Sequence, residues 1–336
     1  MPTSPRPATP APREAADDQL SVRLSAVIVA VAGDDPGVLV VRSGSGRESL
    51  PSGPLERGHR TLESGLRGWV ERQTLQKLGH VEQLYTFGDR DRSETDGAAA
   101  TRALSVAYLA LVREARPAGD AGASGADARW ASWYRYFPWE DWRDGRPAIL
   151  DALEPALRDW AISDPRRASA RLERLSITFG LGEPGADERG VWNEERTLER
   201  YELLYEAGLV AEARRGNARE PAPQVGTEMA VDHRRMLALA IARLRGKIKY
   251  RPVVFELMPP HFTLLQLQRT VEALSGVRLH KQNFRRLVEQ QRLVEETGET
   301  SAETGGRPAR LVRFRREVLL ERPAPGVRLP VAGGRR

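Results

Sequence analysis

Residues 280–291 read HKQNFRRLVEQQ, a run in which polar side chains and apolar ones separate at helical spacing. Phe284, Leu287 and Val288 fall on one side, while Lys281, Gln282, Arg285 and Arg286 fall on the other, with Asn283 at the border. Arginine offers paired donors to the guanine edge, and asparagine and glutamine offer a donor–acceptor pair to the adenine edge, in a major groove. A second basic cluster lies downstream, where Arg307 and Arg310 end the stretch TGETSAETGGRPAR. That stretch has no apolar residue larger than alanine apart from Pro308. Placed at the tip of a hairpin, these two arginines would reach phosphate or a minor groove. The alternative is a basic helix edge followed by a mobile turn.

Other chemistry is bounded by what the chain contains. It has no cysteine, which excludes disulfides, thiolate zinc sites and cysteine nucleophiles but leaves carboxylate-bound magnesium open. Arg67 and Glu71 are one helical turn apart, a spacing that fits either a helix-face ion pair or two groups facing a ligand. The net charge of +6 conceals an asymmetry: residues 231–336 carry 22 Lys/Arg against 10 Asp/Glu. A basic C-terminal third behind an acidic body suits a polyanion-binding module, or a solvated tail.

The elements that must position these groups can be read along the chain. Residues 21–33, SVRLSAVIVAVAG, predict a buried strand, Asp34 to Gly37 a turn, and Val38 to Arg42 a second strand. A Gly/Pro-rich loop from Gly44 to Gly58 leads to a helix in which Leu62, Leu66, Trp69 and Val70 share a face. Val81–Phe87 and Leu104–Val112 predict further strands, and the whole predicts an α/β (α+β) sandwich of about 150 residues. Ala115 to Asp127 reads as a loop. Seven aromatics then crowd residues 130–142, beside Glu140, Asp141 and Asp144. Their acidic flank disfavours base stacking and favours packing in a core or between domains, although ligand contact stays open. Amphipathic helices are expected at Ile149–Ile162 and Glu194–Ala213, and the hydrophilic stretch Ala213–Gly226 is the best linker. A basic helix follows at Asp232–Ile248. Thr263 is placed to cap a helix over Leu264–Leu274, which Ser275-Gly276 ends, and residues 281 onward supply the second helix of a helix-turn-helix. Short strands at Leu293–Glu296 and Leu311–Phe314 make a wing.

Two segments resemble known families. LPSGPLERGHRTLESGLRGWVERQTL, residues 50–75, resembles a Nudix box: Gly, five residues, Glu, seven residues, then Arg-Glu-apolar-x-Glu-Glu-x-Gly-apolar. Gly53 and Arg67 match, Trp69 takes the apolar place and Glu71 is kept. His59, Gly68 and Arg72, however, stand where the family has glutamates, and Thr74 replaces the glycine. The family's carboxylates hold magnesium against a diphosphate, so the resemblance implies the scaffold without the usual metal site. EQLYTFGDRDR and ALSVAYLALV resemble the Nudix-like sensor domain of bacterial regulators of NAD biosynthesis, the NrtR/NadQ-type family. FTLLQLQRTVEALSG, NFRRLVEQQRLVEETGE and GGRPARLVRF resemble their winged helix.

The resemblance implies a Nudix-like α/β sandwich followed by a winged helix-turn-helix. The expected divisions are a disordered tail over 1–18, a sensor domain with aromatic extension over 19–165, and a helical connector and linker over 166–225. The DNA-binding domain would take 226–322 and a flexible tail 323–336. The expected function is a cytoplasmic, non-enzymatic homodimer that binds a palindromic double-stranded DNA operator, most simply as a repressor. It would need no cofactor and no membrane. NAD, ADP-ribose or ATP is the candidate effector, with Arg67, Glu71, Gly88, Asp89, Arg90 and Arg92 at its site. Alternating Asp and Arg in that turn fits ribose and phosphate, or a solvated turn. Thr263, Gln266, Lys281, Gln282, Asn283, Arg285, Arg286, Arg307 and Arg310 would meet DNA. The competing reading is a Nudix hydrolase of ADP-ribose-like nucleotides with an accessory DNA-binding domain; a protein–protein adaptor is a third.

Overall fold

The computed structural model describes residues 21–42, 46–88, 103–113, 127–181, 192–214, 225–301, 308–321 and 326–327. Seven strands form one mixed sheet: β1 (Ser21–Ala32), β2 (Asp35–Arg42), β3 (Glu48–Ser49), β4 (Ser52–Pro54), β5 (His80–Phe87), β6 (Ala103–Leu111) and β7 (Asp127–Ser132). The spatial order is β3-β2-β1-β6-β5, with β4 added to β1 and β7 to β2. β1 runs antiparallel to β2 (Val29 opposite Val38) and parallel to β6 (Val27 opposite Leu109). Successive side chains of a strand point to opposite faces. Because both faces of β1 are covered, its sequence is apolar throughout rather than alternating. Leu24, Ala26, Ile28 and Ala30 pack under Leu66 and Val70 of α1 (Leu62–Thr74). Val27 and Val29 enter the larger core on the other face, with Trp133, Tyr136 and Met236.

The aromatic segment starts as a strand, since Asp127–Ser132 pairs with β2 where the sequence suggested a loop up to Asp127 and no strand after it. Trp133, Tyr134, Tyr136, Phe137 and Trp139 are all buried, so the packing reading describes them. Glu140 is only 1% exposed. It therefore neutralises buried cations instead of colouring the surface.

Four helices continue the chain: α2 (Leu150–Ile162), α3 (Ala168–Phe179), α4 (Thr197–Glu206) and α5 (His233–Tyr250). The helix expected over Glu194–Ala213 is broken into three pieces. Glu194–Arg196 is a 3-10 turn capped by Asn193, α4 ends at Ala207, and Ala211–Arg214 is a second 3-10 turn. Gly208, at φ 69°, turns the chain between the last two. In α5 the basic side chains divide: Arg234 and Arg245 are 1% exposed and belong to the core. The winged helix-turn-helix comprises α6 (Leu264–Ser275), α7 (Lys281–Gln290), β8 (Val294–Ser301) and β9 (Ala309–Phe314), followed by α8 (Val318–Glu321). Gly326 and Val327 fall within the expected flexible tail, yet both are buried, and the Val327 amide donates to the carbonyl of Ile248 at 2.8 Å. No helix among the described residues is long and apolar enough to cross a membrane.

Candidate functional site

α6 starts where its sequence provides a capping box. The Gln266 amide donates to Thr263 Oγ1 at 3.1 Å, and the Thr263 amide donates to Gln266 Oε1 at 2.7 Å. Thr263 is 3% exposed, so its hydroxyl serves the cap and is not offered to DNA, contrary to expectation. Gln266 is exposed, and its side-chain oxygen is used in the cap. In α7, Phe284 and Val288 anchor the helix, and Lys281, Gln282, Asn283, Arg285 and Arg286 are exposed. None of those five has an ion-pair or hydrogen-bond partner among the described residues. A groove of about 570 Å³ runs between Thr263–Leu265, Lys281, Arg285 and Glu289 on one wall and Glu296, Pro308 and Arg310 on the other.

The wing is less basic than its arginines suggest. Arg310 pairs with Glu296 and Arg313 with Glu295, each at 2.6 Å across the hairpin. Exposed pairs of this kind contribute at most about 1 kcal/mol, so a phosphate can displace the carboxylate. Arg307 lies outside the described residues.

What aims α7 is the seat of α6 on the aromatic segment and on α5. The last carbonyls of a helix lack intrahelical donors. Here Tyr134 Oη donates to the Ala273 carbonyl at 2.7 Å, Arg245 Nε to that of Leu274 at 2.9 Å, and the Trp142 amide to that of Gly276 at 2.7 Å. Gly276 adopts φ 77°, and a Cβ there would lie 2.4 Å from the Glu140 carbonyl oxygen. Only glycine fits both the turn and this approach.

Beneath the seat lies a buried ionic cluster. Glu140 accepts from Arg200 Nε at 2.6 Å and Nη2 at 2.8 Å, from Arg245 Nη1 at 2.5 Å, and from Thr197 Oγ1 at 3.2 Å. Burial would push this carboxyl's pKa up, but the Arg200 and Arg245 guanidinia beside it hold it below the usual carboxylate range. Burial likewise pushes the Tyr134 hydroxyl up, which keeps it a donor.

The box helix α1 is held as tightly. Thr61 caps it with Ser64, and Leu62, Leu66, Val70 and Thr74 form its inward stripe. Trp69 was expected on that stripe, but it lies beside it, against the loop. Its Nε1 donates to the Pro54 carbonyl at 3.0 Å, and its ring fills the space that a Cβ on Gly53 would need. Gln73 fastens the same loop twice, accepting from the Ser52 amide at 3.1 Å and donating to its carbonyl at 2.9 Å. Leu75 closes the helix in the left-handed region (φ 57°) and is 61% exposed.

Arg67 does not meet Glu71. It pairs with Glu63 at 2.8 Å and donates to the carbonyls of Leu78 (2.5 Å) and Gly79 (3.0 Å). Helical side chains lean toward the N-terminus, which carries Arg67 to the preceding turn. It fastens α1 to the approach of β5 and is not free for a ligand. Glu71 is exposed with no partner among the described residues. The Arg72 guanidinium, also exposed, lies over the Trp69 ring at 4.4 Å. His59, at the first glutamate position, stacks on Gly65 and accepts from the Glu56 amide at 3.1 Å. One carboxylate beside a fixed guanidinium does not suit a hard divalent cation. No group of three or more His, Asp or Glu able to hold a metal stands among the described residues. Gly88 ends β5 near Leu104; Asp89, Arg90 and Arg92 lie outside the described residues.

The loop bound by α1 also reaches the second domain. The Leu50 amide donates to His233 Nδ1 at 3.0 Å, and the Ala230 amide to the Glu48 carbonyl at 2.8 Å. Sequence reasoning missed His233, Glu140, Arg200 and Arg245, whose partners are distant in the chain.

A Nudix-like α/β sandwich carrying a winged helix-turn-helix describes the fold, and the comparisons bear on each part. Residues 254–314 match the model of the NrtR DNA-binding winged helix domain. In fold the chain is similar to NrtR. Over 87 residues it is 42% identical to the ADPR responsive transcriptional repressor NtrR of Acinetobacter baylyi; the match spans 26% of this chain and 34% of that relative. The crystal structure of Shewanella oneidensis NrtR complexed with a 27mer DNA is similar at 20% identity and a TM-score of 0.52, covering 88% of this chain and 94% of that one. A MutT/nudix family protein from Enterococcus faecalis is similar at 16% identity and a TM-score of 0.50, covering 91% and 90%.

Proposed function

We propose that this chain is a transcriptional repressor that binds a double-stranded DNA operator and answers to an NAD-related nucleotide. The observation that carries the reading is the exposed, unpartnered Lys281-Gln282-Asn283-Arg285-Arg286 face of α7, bordering a groove walled by the wing. Those side chains read base edges, and the Gln266 amide, Arg310 and Arg307 contact the backbone beside them. One such helix covers few base pairs, so the operator is palindromic and the protein acts as a dimer, in the cytoplasm with its DNA. ADP-ribose is the first effector to test, since the Acinetobacter baylyi relative is described as ADPR responsive. Glu71, the end of β5 at Gly88 and the following residues Asp89, Arg90 and Arg92 border its site. Control of NAD biosynthesis genes follows from the family resemblance, and the donor set at the box argues for sensing without hydrolysis.

The reading is tested by fluorescence anisotropy on a labelled operator fragment. Arg285→Ala and Arg286→Ala should each weaken specific binding by about 1–3 kcal/mol, and the affinity should fall steeply with salt as counterions are released. Unchanged affinity in both variants would remove α7 from recognition. Turnover of ADP-ribose with magnesium, abolished by Glu71→Gln, would favour the hydrolase instead.

A further inference from the structure

We infer that the box of this chain is a metal-independent diphosphate subsite in which the Arg72 guanidinium stands in for the missing cation. The inference rests on the nucleotide-sensing reading above and extends it to the chemistry of the site. Arg72 occupies a box position where the family places a carboxylate, and Gly68, at another such position, offers no side chain at all. The acids that could neutralise Arg72 are otherwise placed. Glu63 is bound by Arg67, and Glu71, the one carboxylate kept, makes no contact with Arg72.

The guanidinium is nevertheless positioned. It lies over the Trp69 ring at 4.4 Å, and that ring is itself immobilised by the Pro54 carbonyl and by its fit against Gly53. A Cβ at Gly68 would lie in ordinary contact, 3.4 Å, with Arg72 Nη1, which places the guanidinium alongside the second box position that has lost its carboxylate. The loop Ser52–Pro54 beside it is fastened by Gln73 and Trp69. The Arg72 guanidinium, over an indole, exposed and without an acidic partner among the described residues, is available to an anionic ligand. An arginine fork matches the geometry of a phosphate group, and its charge does not depend on a bound ion. A divalent ion would meet electrostatic repulsion from the same fork.

The test is isothermal titration of the full-length protein with ADP-ribose, once in EDTA and once in excess magnesium. The affinity should agree within about twofold between the two. Arg72→Ala should weaken binding in EDTA by about ten- to hundredfold, the range expected for losing hydrogen bonds from a charged donor. Arg72→Glu should weaken it at least as much. Because Arg72 is exposed, both variants should melt like the parent, and the melts verify that the fold is kept. Binding that requires magnesium, or an Arg72→Ala variant that binds like the parent, would overturn the inference while leaving nucleotide sensing intact. If the unaltered chain bound no ADP-ribose in either buffer, the choice of effector and this inference would fall together.

Discussion

At the scale of single residues, the structure depends on charges that are not at the surface. Glu140 and the two guanidinia around it are buried, and removing one partner of such a cluster leaves the others uncompensated. Glu140→Gln should therefore destabilise the protein by about 3–5 kcal/mol, measured by urea denaturation. The cluster also sets a pH dependence. The carboxyl's pKa is lower in the folded protein than in the unfolded chain, so its contribution is complete above the ordinary glutamate value of about 4.3. It is lost as pH falls further, toward the folded value. Acid unfolding of the parent should show this loss below about pH 4.3, and the Glu140→Gln variant should show less of it. None of this was legible in the sequence. Glu140 reads as one of three acids near a run of aromatics, and Arg200 and Arg245 lie far along the chain. Only the fold shows that they meet.

Elements were more readable, for a physical reason. Strands β1, β2, β5 and β6 are apolar runs, helices α1, α6 and α7 carry apolar stripes, and α1 and α6 have local capping boxes, signals that need no tertiary information. The capping box of Thr263 and Gln266 is an example: Thr263 reads as a cap from the sequence, and it starts α6. Segments with weak periodicity misled. β7 was hidden because the residues before it read as loop and its partner β2 is remote, and Gly208 divides what composition suggested was one helix. For α7, the buried Phe284 is the anchor. Phe284→Ala should cost about 3–5 kcal/mol and weaken DNA binding indirectly, with a lower melting temperature that Arg285→Ala does not share. In β4, facing α1, Gly53→Ala would drive a Cβ to 2.1 Å from the Trp69 ring. Its expected effect is displacement of the indole, seen as a changed near-ultraviolet circular dichroism spectrum and weaker nucleotide binding.

At the scale of the molecule, the two functional regions are joined by built contacts. The carbonyl end of α6 is capped by Tyr134, Trp142 and Arg245, and the box loop meets α5 through Leu50 and His233. A nucleotide that binds the two conformations of this joint unequally will shift the presentation of α7, and its effect on DNA is limited to that difference in affinity. His233→Ala should accordingly leave DNA affinity near the parent's while reducing the change that nucleotide produces, as read by anisotropy with and without ADP-ribose. The measurement that tests the central claim most directly is a gel shift with DNA from upstream of the organism's NAD-synthesis genes, repeated with NAD, ADP-ribose and ATP. The account predicts a salt-sensitive, sequence-specific complex that one of these nucleotides alters. Weak binding that is indifferent to sequence and to all three nucleotides would contradict it.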